Sequence, residues 1–470
     1  MSARRYSPLA LAAASVVLLA GCASTGLPPV AQDQPSPPPA QWVDAAAASD
    51  GSGAQQQASD IPWRDYFQDP MLRTLIDTAL AHNTDLRAAL QNVQQAQLSL
   101  ASSRVAQMPT LSGSASVAQS SSNNLGTPTG ASLGVSAAYE VDLFGRLANQ
   151  TQAASAQLLA TTQAARTARI SLIATVAQSW TALQSDEALL RLARDTVKSR
   201  QDTLRLTQLK LKQGVVSDVD VQQAQSLVTS AQLSVTQQER AVRLDRSALR
   251  LVLGRDLPES AARAAADPAS QKTALLAPLK PGLPSSVLLQ RPDIAQAEAQ
   301  LRAADANIAA ARASFFPSIS LTATAGSAST SLRDLFDPVG WVWAFVPKLA
   351  VAIFDGGQRD IALKSQQVAR NAAVTQYDKA IQTAFREVSD ALTTDTSLQE
   401  QAQRQQQLLA TSQAQLRLAQ LRYNAGVTSF LELLDAQRSL SSAQQAIITT
   451  RLAQQQARIT LYRVLGGGVR

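Results

Sequence analysis

Two very long stretches without proline or glycine constrain the fold of this chain more than any other feature. The first covers residues 148–213, which is 66 residues, and the second covers residues 358–425. Proline and glycine are the residues that most often interrupt helices. Each stretch therefore predicts one helix of about 100 Å, because a helix rises about 1.5 Å per residue. Such helices are too long for one compact core and must line a long object.

Apolar residues recur at every seventh position of the first stretch, which predicts a coiled-coil seam. The seam consists of Val176, Leu183, Leu190, Val197, Leu204 and Leu211. A weaker seam in the second stretch consists of Val388, Asp395, Ala402, Leu409, Leu416 and Tyr423. The other positions are rich in Gln, Ser, Thr, Arg and Glu, which favours water on at least one further face. Both a solid bundle and a hollow barrel fit this pattern.

The two stretches belong to an internal duplication. Landmarks of the first half recur in the second at an offset of 208 to 212 residues, as in the pairs Asp85/Asp293, Pro109/Pro317, Gly214/Gly426 and Leu253/Leu465. Each half is predicted to contain a helix, two strands, a very long helix, a tight turn and a return helix. We assign the first repeat to residues 61–254, an equatorial linker to 255–292 and the second repeat to 293–470.

Each repeat contains a predicted β-hairpin, at residues 110–143 and 318–353. Apolar residues alternate with small or polar ones along all four strands, which indicates one apolar face. Tyr139, Trp341, Trp343 and Phe345 are expected in a lipid-facing band or its interfacial girdle. The stretches 120–130 and 327–340 are then expected to be outer loops.

A soluble sandwich would show the same alternation, but four strands in two distant hairpins make a poor sandwich. Strands of about 9 to 13 residues match the length that crosses a bilayer. An open four-stranded sheet has unsatisfied edges in lipid, so the barrel has to close between chains. Three chains would supply twelve strands, which lies within the known range for such barrels.

The N-terminus is predicted to direct secretion and lipidation. Residues 1–21 have a basic start and a short apolar core, which is typical of a signal peptide. The sequence Leu19-Ala-Gly-Cys22 resembles a bacterial lipobox, which implies N-palmitoyl and S-diacylglycerol groups on Cys22. By resemblance to bacterial sorting rules, Ala23 favours the outer membrane. Residues 22–60, rich in Pro, Ala, Gln and Ser, are predicted to be an extended tether.

A glycine follows each long helix and predicts a helical hairpin tip. Gly214 is followed by Ser217 and Asp220, and Gly426 is followed by Ser429 and Glu432. Glycine at a helix C-terminus, followed by a serine N-cap with an acid three residues on, is typical of a tight turn between helices. The predicted tips are residues 214–217 and 426–429, far from the strands.

The composition argues against catalysis and against nucleic-acid binding. The chain has one cysteine and one histidine, His82, which cannot form a zinc cluster, a disulfide framework or a catalytic triad. We predict no enzyme activity, no metal site and no non-covalent cofactor. Loss of Arg4 and Arg5 with the signal peptide would lower the net charge from +7 to +5, which is too mild to indicate nucleic acid.

Several short motifs, in this order, resemble the TolC-like outer-membrane efflux proteins (outer membrane factors), in particular the lipoprotein branch of NodT and OprM. They are Leu19-Ala-Gly-Cys22, Trp63 with Phe67-Gln-Asp-Pro70, Ala79-Leu80 with Asn83 and Asp85-Leu86, Tyr139-Glu-Val-Asp-Leu-Phe-Gly-Arg146, Phe354-Asp-Gly-Gly357, Tyr423-Asn-Ala-Gly426 and Leu434-Asp-Ala-Gln437. The resemblance covers nearly all of the mature chain. It implies a mainly helical homotrimer, in which a 12-stranded transmembrane β-barrel continues into a 12-helix α-barrel with a mixed belt.

The resemblance also implies site residues and partners. The periplasmic gate would be formed by Leu431, Glu432 and Asp435, and a periplasmic adaptor protein would dock at the tips, at Gly214, Val215, Gly426 and Val427. Plainer interpretations are a capping role for Glu432, a solvated helix position for Asp435 and ordinary turns at the glycines. An inner-membrane pump would supply the energy, because a duct of this kind is passive.

The predicted function is therefore the outer-membrane channel of a tripartite, resistance-nodulation-division type efflux system. The chain would be lipid-anchored to the outer membrane and span it, with a periplasmic helical extension. A duct for type I protein secretion or for metal-ion efflux is the nearest alternative. A periplasmic adaptor or structural coiled-coil protein is the alternative of another class. The sequence leaves the transported substrate open.

Overall fold

The computed structural model describes residues 61–119, 129–268, 276–277, 290–329, 332–337 and 340–467. The first repeat consists of α1 Trp63–Tyr66, α2 Pro70–His82, α3 Thr84–Val105, β1 Thr110–Gln119, β2 Thr129–Val141, α4 Arg146–Lys212 and α5 Asp218–Leu253. Helix α6, Glu259–Ala266, follows it. The second repeat consists of α7 Pro292–Ala313, β3 Ser318–Ser329, β4 Trp341–Ala350, α8 Gln358–Asn424 and α9 Phe430–Val464. The chain is mainly helical with one β-sheet, as the sequence predicts.

The two longest helices, α4 and α8, contain 67 residues each. Each begins directly after a glycine with a positive φ, Gly145 at 75° and Gly357 at 88°. This left-handed conformation lets the chain turn sharply out of the strand before the helix starts. Helix α5 pairs with α4, α9 pairs with α8, and α9 also packs against α4. The shorter helices α3 and α7 lie along the ends of the long helices that adjoin the sheet.

The four strands form one antiparallel sheet in the order β1-β2-β3-β4, so the two distant hairpins lie side by side. The register places Leu111, Ala137, Ala323 and Phe345 in one row across the sheet, and Gly113, Val135, Ala325 and Trp343 in the next row on the same face. Among the described strands, β1 and β4 each have a single partner. Each of them therefore leaves one edge with unpaired backbone groups.

The ends of the strands differ from the sequence-based boundaries. Strand β4 ends at Ala350 because its last partner is Ser318, and the residue before Ser318 is Pro317, which has no N–H to donate. Beyond this point, Ile353 is 96% exposed rather than part of the hairpin. The predicted outer loops are shorter than expected. Residues 129–130 belong to β2, residues 327–329 belong to β3, and Arg333–Phe336 forms a short 3₁₀ helix.

The main core lies near the middle of the long helices, where α1, α2 and α6 pack onto α4 and α5. Trp180 of α4 is fully buried, and its Nε1 donates a hydrogen bond to Asp69 Oδ2 at 2.9 Å. Tyr66 stacks on Tyr462 of α9 with ring centroids 4.0 Å apart. These contacts join the N-terminal part of the described chain to both hairpins.

The second repeat has a smaller core between α7, α8 and the end of α9. It consists of Ile294, Ile381, Ala384, Val388, Ala391, Leu461, Val464 and Leu465. The predicted linker, residues 255–292, contains helix α6 and a short antiparallel bridge between Phe67 and Leu276. Most of the remaining linker lies outside the described residues, as do residues 1–60. Within the described ranges, no helix combines the length and hydropathy needed to cross a membrane.

Candidate functional site at the hairpin tips and the sheet

The two hairpin tips have the same backbone geometry. Gly214 and Gly426 have φ values of 71° and 72°, and the N–H groups of Val215 and Val427 donate to the carbonyls of Lys210 and Arg422, both at 3.0 Å. A bond of this span after a left-handed residue is the Schellman motif, which satisfies the last carbonyls of a helix. Val215 and Val427 are exposed at the turns. The predicted tip residues therefore occupy equivalent, solvent-facing positions.

The first tip contains a complete capping box. Ser217 Oγ accepts a hydrogen bond from the Asp220 N–H, and Asp220 Oδ2 accepts one from the Ser217 N–H at 3.0 Å. Both bonds satisfy N–H groups at the start of α5 that have no partner within the helix. The carboxylate of Asp220 is therefore used to begin a helix.

The second tip uses its acid differently. Ser429 Oγ accepts from the Glu432 N–H, but the Glu432 carboxylate binds Arg422 Nη1 at 3.1 Å and the Thr428 hydroxyl. The reciprocal bond expected of a capping box is not formed. The plain capping interpretation of Glu432 is thus wrong for its side chain, because Arg422, in the last turn of α8, attracts the carboxylate across the turn.

Leu431 and Asp435 lie one helical turn apart on the exposed face of α9, and Glu432 lies beside them. The side chain of Leu431 is 58% exposed, and the Asp435 carboxylate lies 3.5 Å from Arg438 Nη1 on the same helix. Leu433 and Leu434 face the opposite way and are buried. The structure therefore brings the three predicted gate residues together at one end of the molecule.

A buried cluster beneath the tips holds the two hairpins together. It consists of Ala224, Ala419, Phe430, Leu433, Leu434 and Ala436. Lys210 of α4 places its Nζ 4.0 Å from the ring centroid of Tyr423 in α8, which is a cation–π contact between the hairpins. Sequence reasoning missed this contact, since no local pattern pairs Lys210 with Tyr423.

The two faces of the sheet differ in chemistry. The apolar face exposes Trp341, Trp343 and Phe345, and Trp343 is 81% exposed. The opposite face of β1 and β2 is small and hydroxyl-rich, with Oγ atoms 2.8 Å apart between Ser112 and Ser136. Large apolar side chains on one face and small polar ones on the other suit a sheet between lipid and an aqueous lumen.

Ion pairs fix the junction between the sheet and the helices. Arg146, the first residue of α4, binds both carboxylate oxygens of Glu140 at 2.7 and 2.8 Å. Arg359 Nε donates to Asp355 Oδ2 at 2.6 Å, and this hydrogen bond lowers the pKa of Asp355. Each repeat thus has an arginine–carboxylate pair at the point where the strand gives way to the long helix.

The described chain thus combines an amphipathic sheet, two long helical hairpins and an exposed acidic tip. The sequence model of the outer membrane efflux protein family matches residues 75–255 and 283–467. The chain belongs to this family. Its members are outer-membrane channel proteins and not enzymes. Of the alternatives that the sequence left open, the periplasmic adaptor is therefore excluded.

Individual relatives agree with the family assignment. The chain is 39% identical over 465 residues to the antibiotic efflux pump outer membrane protein ArpC of Pseudomonas putida, covering 97% of this chain and 94% of that one. It is 35% identical over 462 residues to the probable outer membrane lipoprotein SilC of Salmonella typhimurium, covering 97% and 98%. The structure aligns with the open state of the Neisseria gonorrhoeae MtrE outer membrane channel at a TM-score of 0.83 and 32% identity. The alignment covers 94% of this chain and 99% of that one.

Cys22, the predicted lipidation site, lies outside the described residues. Among the described residues, no group of three His, Cys, Asp or Glu side chains is arranged to hold a metal ion. The candidate functional features of the described chain are therefore the acidic second tip, the paired glycine turns and the amphipathic sheet.

Proposed function

We propose that this chain is the outer-membrane channel of a tripartite, resistance-nodulation-division type efflux system. Three copies would form a passive duct that carries drugs or other small molecules from the periplasm to the exterior. The observation that carries the proposal is one sheet with an exposed apolar face, continuous through β2 and β4 with two helices of 67 residues each. The name of the relative ArpC, an antibiotic efflux pump protein, supports small-molecule cargo.

The unpaired edges of the sheet support a trimer. Strand β1 of one protomer and strand β4 of the next would pair, because open edges in lipid leave backbone groups unsatisfied. Three sheets of four strands would then close a 12-stranded barrel, and three sets of α4, α5, α8 and α9 would form a 12-helix α-barrel. The serine-rich face would line the lumen, and the face with Trp341 and Trp343 would contact lipid.

The gate is assigned to Leu431, Glu432 and Asp435 at the second tip. Three copies around a threefold axis would place an apolar ring beside rings of like charge, which would attract cations and resist collapse. The bond from Arg422 to Glu432 would hold the tip in shape, and exposed Asp435 would face the opening.

The gate is tested by single-channel recording in planar bilayers. The double variant Glu432→Ala, Asp435→Ala should raise the conductance and weaken block by divalent cations, because it removes the charge and shortens the side chains. Asp202→Ala is a matched control, since Asp202 forms a similar exposed pair with Arg205 at 3.4 Å on the first hairpin. Wild-type conductance in the double variant would remove the assignment.

The tips with Gly214, Val215, Gly426 and Val427 are proposed to dock a periplasmic adaptor, which would link the channel to an inner-membrane pump. Their exposed valines offer apolar contacts, and their glycines leave space for a close approach. Val215→Asp with Val427→Asp should abolish co-purification of the adaptor with the channel. Leu418→Asp, at an exposed position further from the tip, should leave it intact. Co-purification that survives in the tip variant would contradict the docking site.

We also propose that Cys22 is acylated and anchors the protein to the outer membrane, as the name of the relative SilC, a lipoprotein, supports. Labelling of cells with a palmitate analogue should mark the wild-type chain and not Cys22→Ser. Persistent labelling of Cys22→Ser would show that the lipid is attached elsewhere.

A further inference from the structure

One buried arginine in the first hairpin has no acidic partner. Arg200 of α4 is 8% exposed, and its Nη1 donates to the neutral Gln437 Oε1 of α9. Among the described residues, no carboxylate lies within ion-pairing distance of its guanidinium. A buried charge without a counter-charge is costly, because little solvent is left to compensate it. Arg200 is therefore a buried cation with no counter-charge among the described residues.

Among the described residues, the other buried arginine is Arg291, and its charge is compensated. Arg291 is 7% exposed, and it binds Asp293 and Glu387, both at 2.7 Å, and the Val464 carbonyl at 2.8 Å. Two carboxylates and a carbonyl accept hydrogen bonds from its planar guanidinium group. Arg200, by contrast, has a single neutral acceptor, and its remaining donors have no partner among the described residues.

Arg200 borders a cavity of about 360 Å³ between α4, α5 and α9. Arg438 also lines this cavity, and its positive charge lowers the pKa of Arg200 further, after burial as the larger cause. The side chain of Arg438 is exposed, and its Nη1 lies 3.5 Å from Asp435 Oδ1. None of the described residues that line the cavity is acidic.

Hydroxyl groups supply further donors in the same cavity. Ser230 and Ser234 of α5 and Ser441 and Ser442 of α9 line it, and their side chains make no hydrogen bond to another described residue. Guanidinium groups and hydroxyls together are the donors that bind tetrahedral oxyanions. We propose that this cavity binds a small divalent oxyanion of the phosphate or sulfate class, with Arg200 as the inner ligand and Arg438 as the outer one.

The duplication gives independent support. At the constant offset of 212 between the hairpins, Arg200 corresponds to Ser412, which is buried in α8, and Arg438 corresponds to Ser226 in α5. Helices of equal length thus pack with a small serine at the position that Arg200 occupies. Packing alone does not require a guanidinium there, so its presence points to a ligand.

The test is isothermal titration of the purified full-length protein with inorganic phosphate in a phosphate- and sulfate-free buffer, against sodium chloride at matched ionic strength. Wild type should bind phosphate saturably, and Arg200→Gln should bind it at least about tenfold more weakly, as expected for loss of a charge-assisted contact. Arg205→Gln, which removes an exposed arginine of the same helix, should bind like wild type. Circular dichroism first establishes that each variant is folded.

Arg438→Gln provides a second variant that cannot disturb the packing, since its side chain is exposed. It should weaken phosphate binding several-fold. Titration with sulfate in place of phosphate should give the same order of affinities among the variants, because the shared feature is a tetrahedral dianion. Absence of saturable binding by wild type, or equal phosphate affinity in wild type and Arg200→Gln, would overturn the proposal.

Discussion

The hairpin of the first repeat, α4 and α5, and that of the second, α8 and α9, have the same layout of long helix, glycine turn and return helix. Their long helices have equal lengths, and their return helices both begin after a serine N-cap. Their side chains at equivalent positions differ. Trp180 corresponds to Leu392, and the acids Asp186 and Asp245 correspond to Leu398 and Ala457. The two hairpins thus share the glycines and heptads that determine their backbone, and they differ in the polar and aromatic side chains at equivalent positions.

The largest difference is expected in the two cores. Trp180→Ala should lower the free energy of unfolding by about 3–5 kcal/mol, because it opens a large cavity and leaves Oδ2 of the buried Asp69 without its donor. Leu392 is only partly buried, so Leu392→Ala should cost about 2 kcal/mol or less. Guanidinium denaturation followed by circular dichroism measures both. Equal losses of unfolding free energy would show that the two cores contribute equally to stability.

The second difference concerns the start of the short helices. Asn83 before α3 donates to the Val252 carbonyl at 2.9 Å, and Arg291 before α7 donates to the Val464 carbonyl, so both tie a short helix to the end of a return helix. Arg291→Ala should cost about 3 kcal/mol, since it also leaves Asp293 and Glu387 unpaired. Asn83→Ala should cost about 1–2 kcal/mol through loss of the cap and this bond. The same denaturation experiment measures both losses of unfolding free energy. A larger loss in Asn83→Ala than in Arg291→Ala would contradict this comparison.

The regular parts of this fold are predictable from the sequence, because their signals are local. Runs free of proline and glycine give the long helices, alternation gives the strands, and Gly214 and Gly426 give the tips. The helices begin at Arg146 and Gln358 because Gly145 and Gly357 permit the left-handed turn before them. Such signals need only neighbouring residues.

The contacts between the hairpins are not predictable in this way. Arg200 and Gln437 are separated by 237 residues, and Tyr66 and Arg458, joined by a hydrogen bond from the tyrosine hydroxyl at 2.9 Å, by 392. No periodicity links residues at such distances. The ion pair between Glu432 and Arg422 could not be predicted either, because Ser429 and Glu432 have the spacing of an ordinary capping box.

A smaller effect is expected at the acids that only the first hairpin has. Burial and the nearby Asp186 carboxyl raise the pKa of Asp245 to about 7 from 3.8, while burial raises the pKa of Asp186. A carboxyl with a raised pKa in the folded state stabilises below its unfolded pKa, and this contribution is lost as the pH rises through about 7. The thermal midpoint of the wild type should therefore fall between about pH 4 and pH 7, and level off above that.

Asp245→Asn should flatten that fall, since the amide keeps a donor for Asp186 and cannot ionise. Asp390→Asn in the second hairpin, an acid whose equivalent in the first repeat is Gln178, is the matched control and should keep the wild-type slope. Thermal melts across this pH range measure both variants. A wild-type slope in Asp245→Asn would place the pH dependence elsewhere in the molecule.

The smallest expected effect separates the two tips. Asp220→Ala breaks the capping box of α5 and should cost about 1 kcal/mol locally. Glu432→Ala removes an exposed ion pair and keeps the Ser429 cap of α9, so it should cost about 0.5 kcal/mol or less. Amide hydrogen exchange should therefore accelerate more at residues 217–220 in the first variant than at residues 429–432 in the second. Faster exchange at the second tip would mean that the Arg422–Glu432 bond, rather than the serine cap, holds the start of α9, and would tie the stability of that turn directly to the carboxylate proposed for the gate.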